Sequence, residues 1–341
     1  MNVSLGYPVP KPPAQAEPLR VAPGIFWLRM PLPFRLDHIN LWLIDEGDGY
    51  TLVDTGIAND ATRAVWECVF AGPLKTKPLQ RIVCTHCHPD HMGLAGWLGP
   101  RFGIPLHASQ SDWAFCRMLA REGGADFLDC QEQFYCRAGF GPEDLALVRG
   151  RGNTYGTRVV PPPPSFSRLL DGQTVRMGGS DWRPISGRGH SPEHMCLYSA
   201  DRKVLISGDQ ILPKISPVVG VWPQEPDANP LDLFISSLER YRGLPEDTLV
   251  LPSHGLPFTG LERRLDQLAH HHDARLDDTR RGCVEWAPAR QILDTLFPRP
   301  LDNIEVFFAA GETVAHLHYL MGLGQVERRF DADGVYRFRA R

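Results

Sequence analysis

Thr85-His86-Cys87-His88-Pro89-Asp90-His91-Met92-Gly93 follows an apolar, strand-like run from Leu79 to Cys84 and precedes Leu94 to Phe102, small and apolar residues that can start a helix. Four side chains able to bind a metal, His86, His88, Asp90 and His91, fall within six residues. In a regular strand or helix such neighbours diverge or stack singly, whereas an irregular loop can bring them to one point. Imidazole and carboxylate together suit zinc, iron or manganese. The pairs His86/His88 and Asp90/His91 supply about half the ligands for each of two ions, so later elements must provide the rest.

Three later stretches share one grammar. Gly187-Arg188-Gly189-His190 follows the strand-like Trp182 to Ser186; Val204-Leu205-Ile206-Ser207-Gly208-Asp209 is an apolar run ending in Gly-Asp; Leu249-Val250-Leu251-Pro252-Ser253-His254-Gly255 ends in a histidine. In each a strand runs out, a small residue lets the backbone turn, and a ligand-type side chain follows. Taken in order with the His-x-His-x-Asp-His motif, they resemble the ligand motifs of the metallo-beta-lactamase superfamily. The resemblance makes His86, His88 and His190 the ligands of one metal, Asp90, His91 and His254 those of another, and Asp209 the bridge. Asp54-Thr55-Gly56, after the strand-like Tyr50 to Val53, resembles a further motif of the family, and Asp54 is expected to hold a ligand loop or imidazole in place. Antibiotic-degrading members usually carry cysteine or serine at the Asp209 position, so the likeness points to the glyoxalase II-like branch. The implied fold is α/β, a four-layer alpha-beta-beta-alpha sandwich of the metallo-beta-lactamase type.

The chain has 341 residues, 43% hydrophobic and 22% charged, with a formal net charge of -4. That is ordinary globular composition, with no overall positive field to recruit nucleic acid. Prolines at 8, 10, 12, 13 and 18 interrupt the start of the chain, and no apolar run approaches the roughly 18 residues that cross a bilayer. A cytoplasmic protein with no membrane partner is expected. Eight scattered cysteines do not make a disulfide scaffold, and Cys84 and Cys87 are read as packing thiols.

The expected organisation is an extended arm at 1-20, a catalytic domain at 21-280 with a candidate lid at 110-165, and a C-terminal domain at 281-341. Helices are expected over Ala58 to Phe70, Ser111 to Arg121, Asp126 to Arg137, Leu231 to Tyr241 and Gly260 to Arg281, while Gly139 to Pro164 reads as irregular. Trp113, Phe115, Phe134 and Tyr135 are candidates for the wall of an apolar acyl pocket, and Lys214, close behind Asp209, for a contact to a substrate anion. Three short helices, Trp286 to Leu296, Ile304 to Ala310 and Glu312 to Met321, followed by a hairpin around Asp331-Ala332-Asp333-Gly334, read as a winged-helix-like region. It resembles the C-terminal appendage of the beta-lactamase-like protein 2 group. Acidic residues dilute its arginines, so packing on the catalytic domain or on a second copy, as a homodimer, is favoured over nucleic acid.

The mechanism expected from two such ions is hydrolysis by a metal-bridging hydroxide, with Asp90 as both ligand and proton shuttle. Zinc is the first choice for this thiolate-free donor set, with iron or manganese as alternatives. The substrate expected is a small ester, thioester or lactone. A phosphodiesterase or ribonuclease acting on nucleic acid through the C-terminal region is the alternative.

Overall fold

The computed structural model describes residues 4–341; the first three residues of the expected arm lie outside it. Contacts divide the chain into two compact units. One comprises the chain up to Arg121, Thr154–Pro217 and Arg240–Leu265; the other comprises Glu122–Asn153, Val218–Glu239 and Asp266–Arg341. This division interleaves segments, whereas the sequence-based boundaries follow chain order.

The first unit holds two sheets. The seven-stranded sheet runs in chain order through β1 (Leu19–Ala22), β2 (Ile25–Pro31), β3 (His38–Asp45), β4 (Tyr50–Val53), β5 (Leu79–Val83), β6 (Leu106–Ala108) and β7 (Ser167–Arg168). It begins as an antiparallel meander and becomes parallel from β4 onward. The change follows from the connections, because α1 (Asp60–Ala71), α2 (Pro89–Met92) and α3 (Ala95–Phe102) are crossover helices between parallel neighbours. The Asn59 side chain caps α1 by accepting from the Thr62 amide at 2.8 Å, and Gly72 closes it. A further helix, α4 (Gln110–Leu119), follows β6. The second sheet has the order β12-β11-β10-β9-β8, from β8 (Val175–Met177), β9 (Ser180–Gly187), β10 (His194–Ser199), β11 (Val204–Gly208) and β12 (Leu249–Pro252).

Alternation along β2 and β3 explains the layering. Ile25, Trp27, Trp42 and Ile44 point one way and join Met177, Trp182, Leu197 and Ile206 of the second sheet in a shared core. Leu28, Met30, Leu41 and Leu43 point the other way and pack with Val65, Trp66 and Val69 of α1. Trp27 and Trp42 stack at 5.9 Å between the sheets, both fully buried.

The second unit contains α5 (Ala125–Arg137), α6 (Pro142–Arg151), α7 (Pro230–Leu238), most of α8 (Leu261–Gly282), α9 (Ala289–Leu296) and α10 (Glu305–Gly322). Its three-stranded sheet has the order β13 (Ala287–Pro288), β15 (Tyr336–Ala340), β14 (Val326–Phe330). Two sequence expectations change here. The stretch read as irregular contains α6, which has Pro142 at its first turn, Glu143 and Asp144 behind it and Arg149 and Arg151 at its end; Gly150 and Gly152 mask those signals. The two helices expected on either side of Gly311 are one continuous α10. Gly311 is a close-approach residue, not a break: the Val221 amide donates to its carbonyl at 3.0 Å, and a Cβ there would meet Val221 O at 3.1 Å. Tyr135, expected in a pocket wall, is buried against Phe140 and Phe307 within this unit's core. Among the described residues no helix is long and apolar enough to cross a membrane.

The inter-sheet stack predicts a mutational cost. Trp42→Ala should lower unfolding free energy by about 3–5 kcal/mol, read as a reduced denaturant midpoint; an unchanged midpoint would contradict the core assignment.

Candidate metal centre

Every donor loop in the first unit leaves the end of a strand. The His86–His91 loop follows β5, the His190 loop follows β9, Asp209 follows β11 and His254 follows β12. β5 is paired in parallel with β4 and β6, and β11 with β12, so all the donors except His190, which follows the antiparallel β9, lie at carboxyl ends of parallel-paired strands. His86 Nε2 lies 3.0 Å from His88 Nδ1 and 3.2 Å from His190 Nε2, and His190 Nε2 lies 3.4 Å from Asp209 Oδ2. His254 Nε2 lies 3.4 Å from Asp90 Oδ2 and from Asp209 Oδ1, and His91 Nε2 is 3.4 Å from Asp209 Oδ1. Two groups result, His86/His88/His190/Asp209 and Asp90/His91/His254, each with donor atoms within 4.8 Å of one another. Asp209 turns one oxygen to each.

The 3.4 Å spacings fit metal ions, and the 3.0 and 3.2 Å pairs at His86 are slightly tighter. A tetrahedral ion with N and O ligands at roughly 2.0–2.2 Å sets donor–donor edges of roughly 3.3–3.6 Å. His91 Nε2 and Asp209 Oδ1 are buried without a hydrogen-bond partner, as atoms reserved for a cation are. Cys87 contributes no thiolate; its side chain joins Cys84 and Cys116 in the apolar core.

The far side of each ring is tied down. His91 Nδ1–H donates to Asp54 Oδ2 at 2.9 Å, and His86 Nδ1–H donates to Thr85 Oγ1 at 3.1 Å. Thr85 passes the link on, its hydroxyl donating to Asp54 Oδ2 at 2.9 Å and its amide to Asp54 Oδ1 at 2.8 Å. Asp54 sits at φ 62, a left-handed conformation that bonds from three donors, the Thr85 amide, the Thr85 hydroxyl and the His91 ring, hold in place. His254 Nδ1–H donates to the His38 carbonyl at 2.7 Å. The Asp209 amide donates to His194 Nε2 at 3.1 Å, and Gly208, at φ +52, has no room for a side chain because a Cβ would lie 2.4 Å from that same nitrogen. Thr85, His38 and His194 were not singled out from the sequence: they act through a hydroxyl, a main-chain oxygen and a ring outside any ligand motif. Lys214 is exposed on the turn after Asp209, next to Pro213, which packs over Gly255.

Burial disfavours charge on His86, His88, His91 and His254, but the two pairs respond oppositely. In the first, burial dominates among neighbouring imidazoles; His88 is lowered to about 3, and His86 is held well below the ordinary range. In the second, burial is outweighed by carboxylates. Asp90, Asp209 and Asp54 hold His91 well above its usual value, and Asp209 and Asp90 raise His254 to about 10. Against the raising effect of burial, His91 and His254 bring Asp90 down to about 2.

A mixed α/β sandwich with a His/Asp cluster at its strand ends, suited to divalent cations, defines a metallo-hydrolase class of protein. The chain belongs to the metallo-beta-lactamase superfamily, which residues 35–254 match, and residues 276–341 match the metallo-beta-lactamase-like C-terminal domain. It is similar to a beta-lactamase domain protein from Burkholderia ambifaria, 42% identical with a TM-score of 0.91 over 99% of this chain and 98% of the other. It is 26% identical to the probable metallo-hydrolase YqjP of Bacillus subtilis, over 91% of this chain and 96% of that protein. It is also 24% identical to the human acyl-coenzyme A thioesterase MBLAC2, over 55% of this chain and 63% of that protein.

The electrostatics give a signed prediction. Without cations His91 and His254 hold protons at neutral pH, and an incoming ion must displace them. Affinity of the Asp90/His91/His254 group should therefore rise with pH below about 10, roughly tenfold per pH unit for each proton displaced. Calorimetry in buffers of different ionisation enthalpy checks this, and pH-independent binding without proton release would contradict it.

Proposed function

We propose that the chain is a dinuclear metal-dependent hydrolase that cleaves a small ester, thioester or lactone. The observation that supports it most is the position of Asp209, whose two oxygens face two separate donor groups at 3.4 Å. When bound, a pair of divalent cations supplies an acidified water as nucleophile and Lewis-acid polarisation of the scissile carbonyl. Zinc suits the donors, as do iron and manganese.

The chain's own residues do the rest. Asp90 is the more open of the two central carboxylates, 19% exposed against 11% for Asp209, and its lowered pKa keeps it ionised at neutral pH. Its openness, not its low pKa, suits the Asp90 carboxylate to carry a proton to the leaving group, the role we assign it. Asp54 holds His91 in the tautomer that presents Nε2 to the centre. Lys214, exposed five residues after Asp209, is our candidate for a contact to a substrate anion.

Two observations favour acyl substrates over nucleic acid. The C-terminal arginines already have carboxylate partners: Arg328 pairs with Asp227, Arg329 with Asp331, Arg337 with Asp331 and Asp333, and Arg339 and Arg341 with Glu327. Phosphates would have to displace those carboxylates to gain contacts. The relative named as an acyl-coenzyme A thioesterase adds weight to thioesters within the acyl class.

The test is a parallel screen of metal-loaded protein against acyl thioesters, lactones, aryl esters and phosphodiesters. Turnover of an acyl substrate is expected, with Asp90→Asn lowering it roughly 10²–10⁴-fold. Turnover of phosphodiesters alone would overturn the acyl reading.

A further inference from the structure

We infer that each donor group has its own anchor outside the ligand set, the buried Asp112 for the His86/His88/His190 group and the partly buried His38 ring for the His254 loop. This rests on the dinuclear reading proposed above. Asp112, on α4, is fully buried. Its Oδ1 accepts the Cys87 amide at 2.9 Å, the peptide between His86 and His88. Its Oδ2 accepts the Glu193 amide at 2.8 Å, three residues beyond His190, and the Ser109 hydroxyl at 3.0 Å. On the opposite side of the same residue the Tyr155 hydroxyl donates to the Cys87 carbonyl. One carboxylate therefore joins two loops, distant in sequence, that carry all three imidazoles of the first group. A carboxylate can accept from both amides at once, whereas an asparagine oxygen serves only one and leaves the other amide buried without a partner.

The His38 ring does the corresponding work at the other group. Its Nδ1–H donates to Asp37 Oδ1 at 2.7 Å, which fixes the tautomer and frees Nε2 to accept the Gly255 amide at 3.0 Å. Gly255 directly follows His254, so the ring sets the course of the backbone beyond that ligand. The His38 carbonyl that receives His254 Nδ1–H survives any side-chain substitution, and His38→Ala removes the ring contact alone. Neither residue reaches the donor atoms. Both are positioning residues, acting through main-chain amides, and their effects should be separable by site.

Two backgrounds separate them: His254→Ala retains the first group and His190→Ala the second. Zinc affinity is measured in each by competition with a chromophoric chelator. Asp112→Asn should weaken zinc binding roughly 10–100-fold in the His254→Ala background and change it by less than about threefold in the His190→Ala background, and His38→Ala should do the reverse. Tyr155→Phe should reproduce the Asp112→Asn pattern at smaller amplitude, and it serves as the test if Asp112→Asn does not fold. Equal losses in both backgrounds, or no loss in either, would overturn the anchoring. Unaltered protein that binds fewer than two zinc ions overturns the dinuclear reading instead, before any anchor has been changed.

Discussion

Five imidazoles and two carboxylates whose neighbouring donor atoms lie 3.0 to 3.6 Å apart, most of them shielded from water, set the terms for the rest of the first unit. Burying ionisable groups is costly unless charge is matched at close range. In the Asp90/His91/His254 group, protons on the rings can do the matching, as the raised histidines show. In the His86/His88/His190 group, burial keeps the His86 and His88 rings neutral, and His86 aims its Nε2 at nitrogens of both His88 and His190, with Asp209 Oδ2 nearby. A divalent cation would relieve either arrangement, replacing protons in one and filling the gap between lone pairs in the other.

Holding such a cluster without collapse requires a stiff frame. The stacked tryptophans between the sheets and the parallel strand ends fix where each loop departs. The Asp54–Thr85 pair then fixes how two of the rings are turned. The Gly208–His194 contact shows how tight the tolerance is, since a single added carbon would occupy the place of the nitrogen that receives the Asp209 amide.

The strands and the donor loops are legible in sequence because both are written locally, and the sandwich follows from the family resemblance those loops carry. An apolar strand followed by a small residue and a ligand-type side chain spans only a few positions, as at Val204 to Asp209. What escapes depends on distant neighbours. His194 looks like an ordinary strand residue until the Asp209 amide is seen to end on it, and Asp112 looks like a helix-start acid until two loops are found hanging from it. Gly311 reads as a helix break because the backbone of Val221 that crosses it lies ninety residues earlier in the chain. The start and stop signals of α6 were present but outvoted by two glycines.

Anomalous diffraction from metal-loaded crystals tests the central claim most directly. Two peaks roughly 3.5–4 Å apart are predicted, with Asp209 between them, His86, His88 and His190 around one and Asp90, His91 and His254 around the other. A single peak, or two that do not share Asp209, would contradict the account.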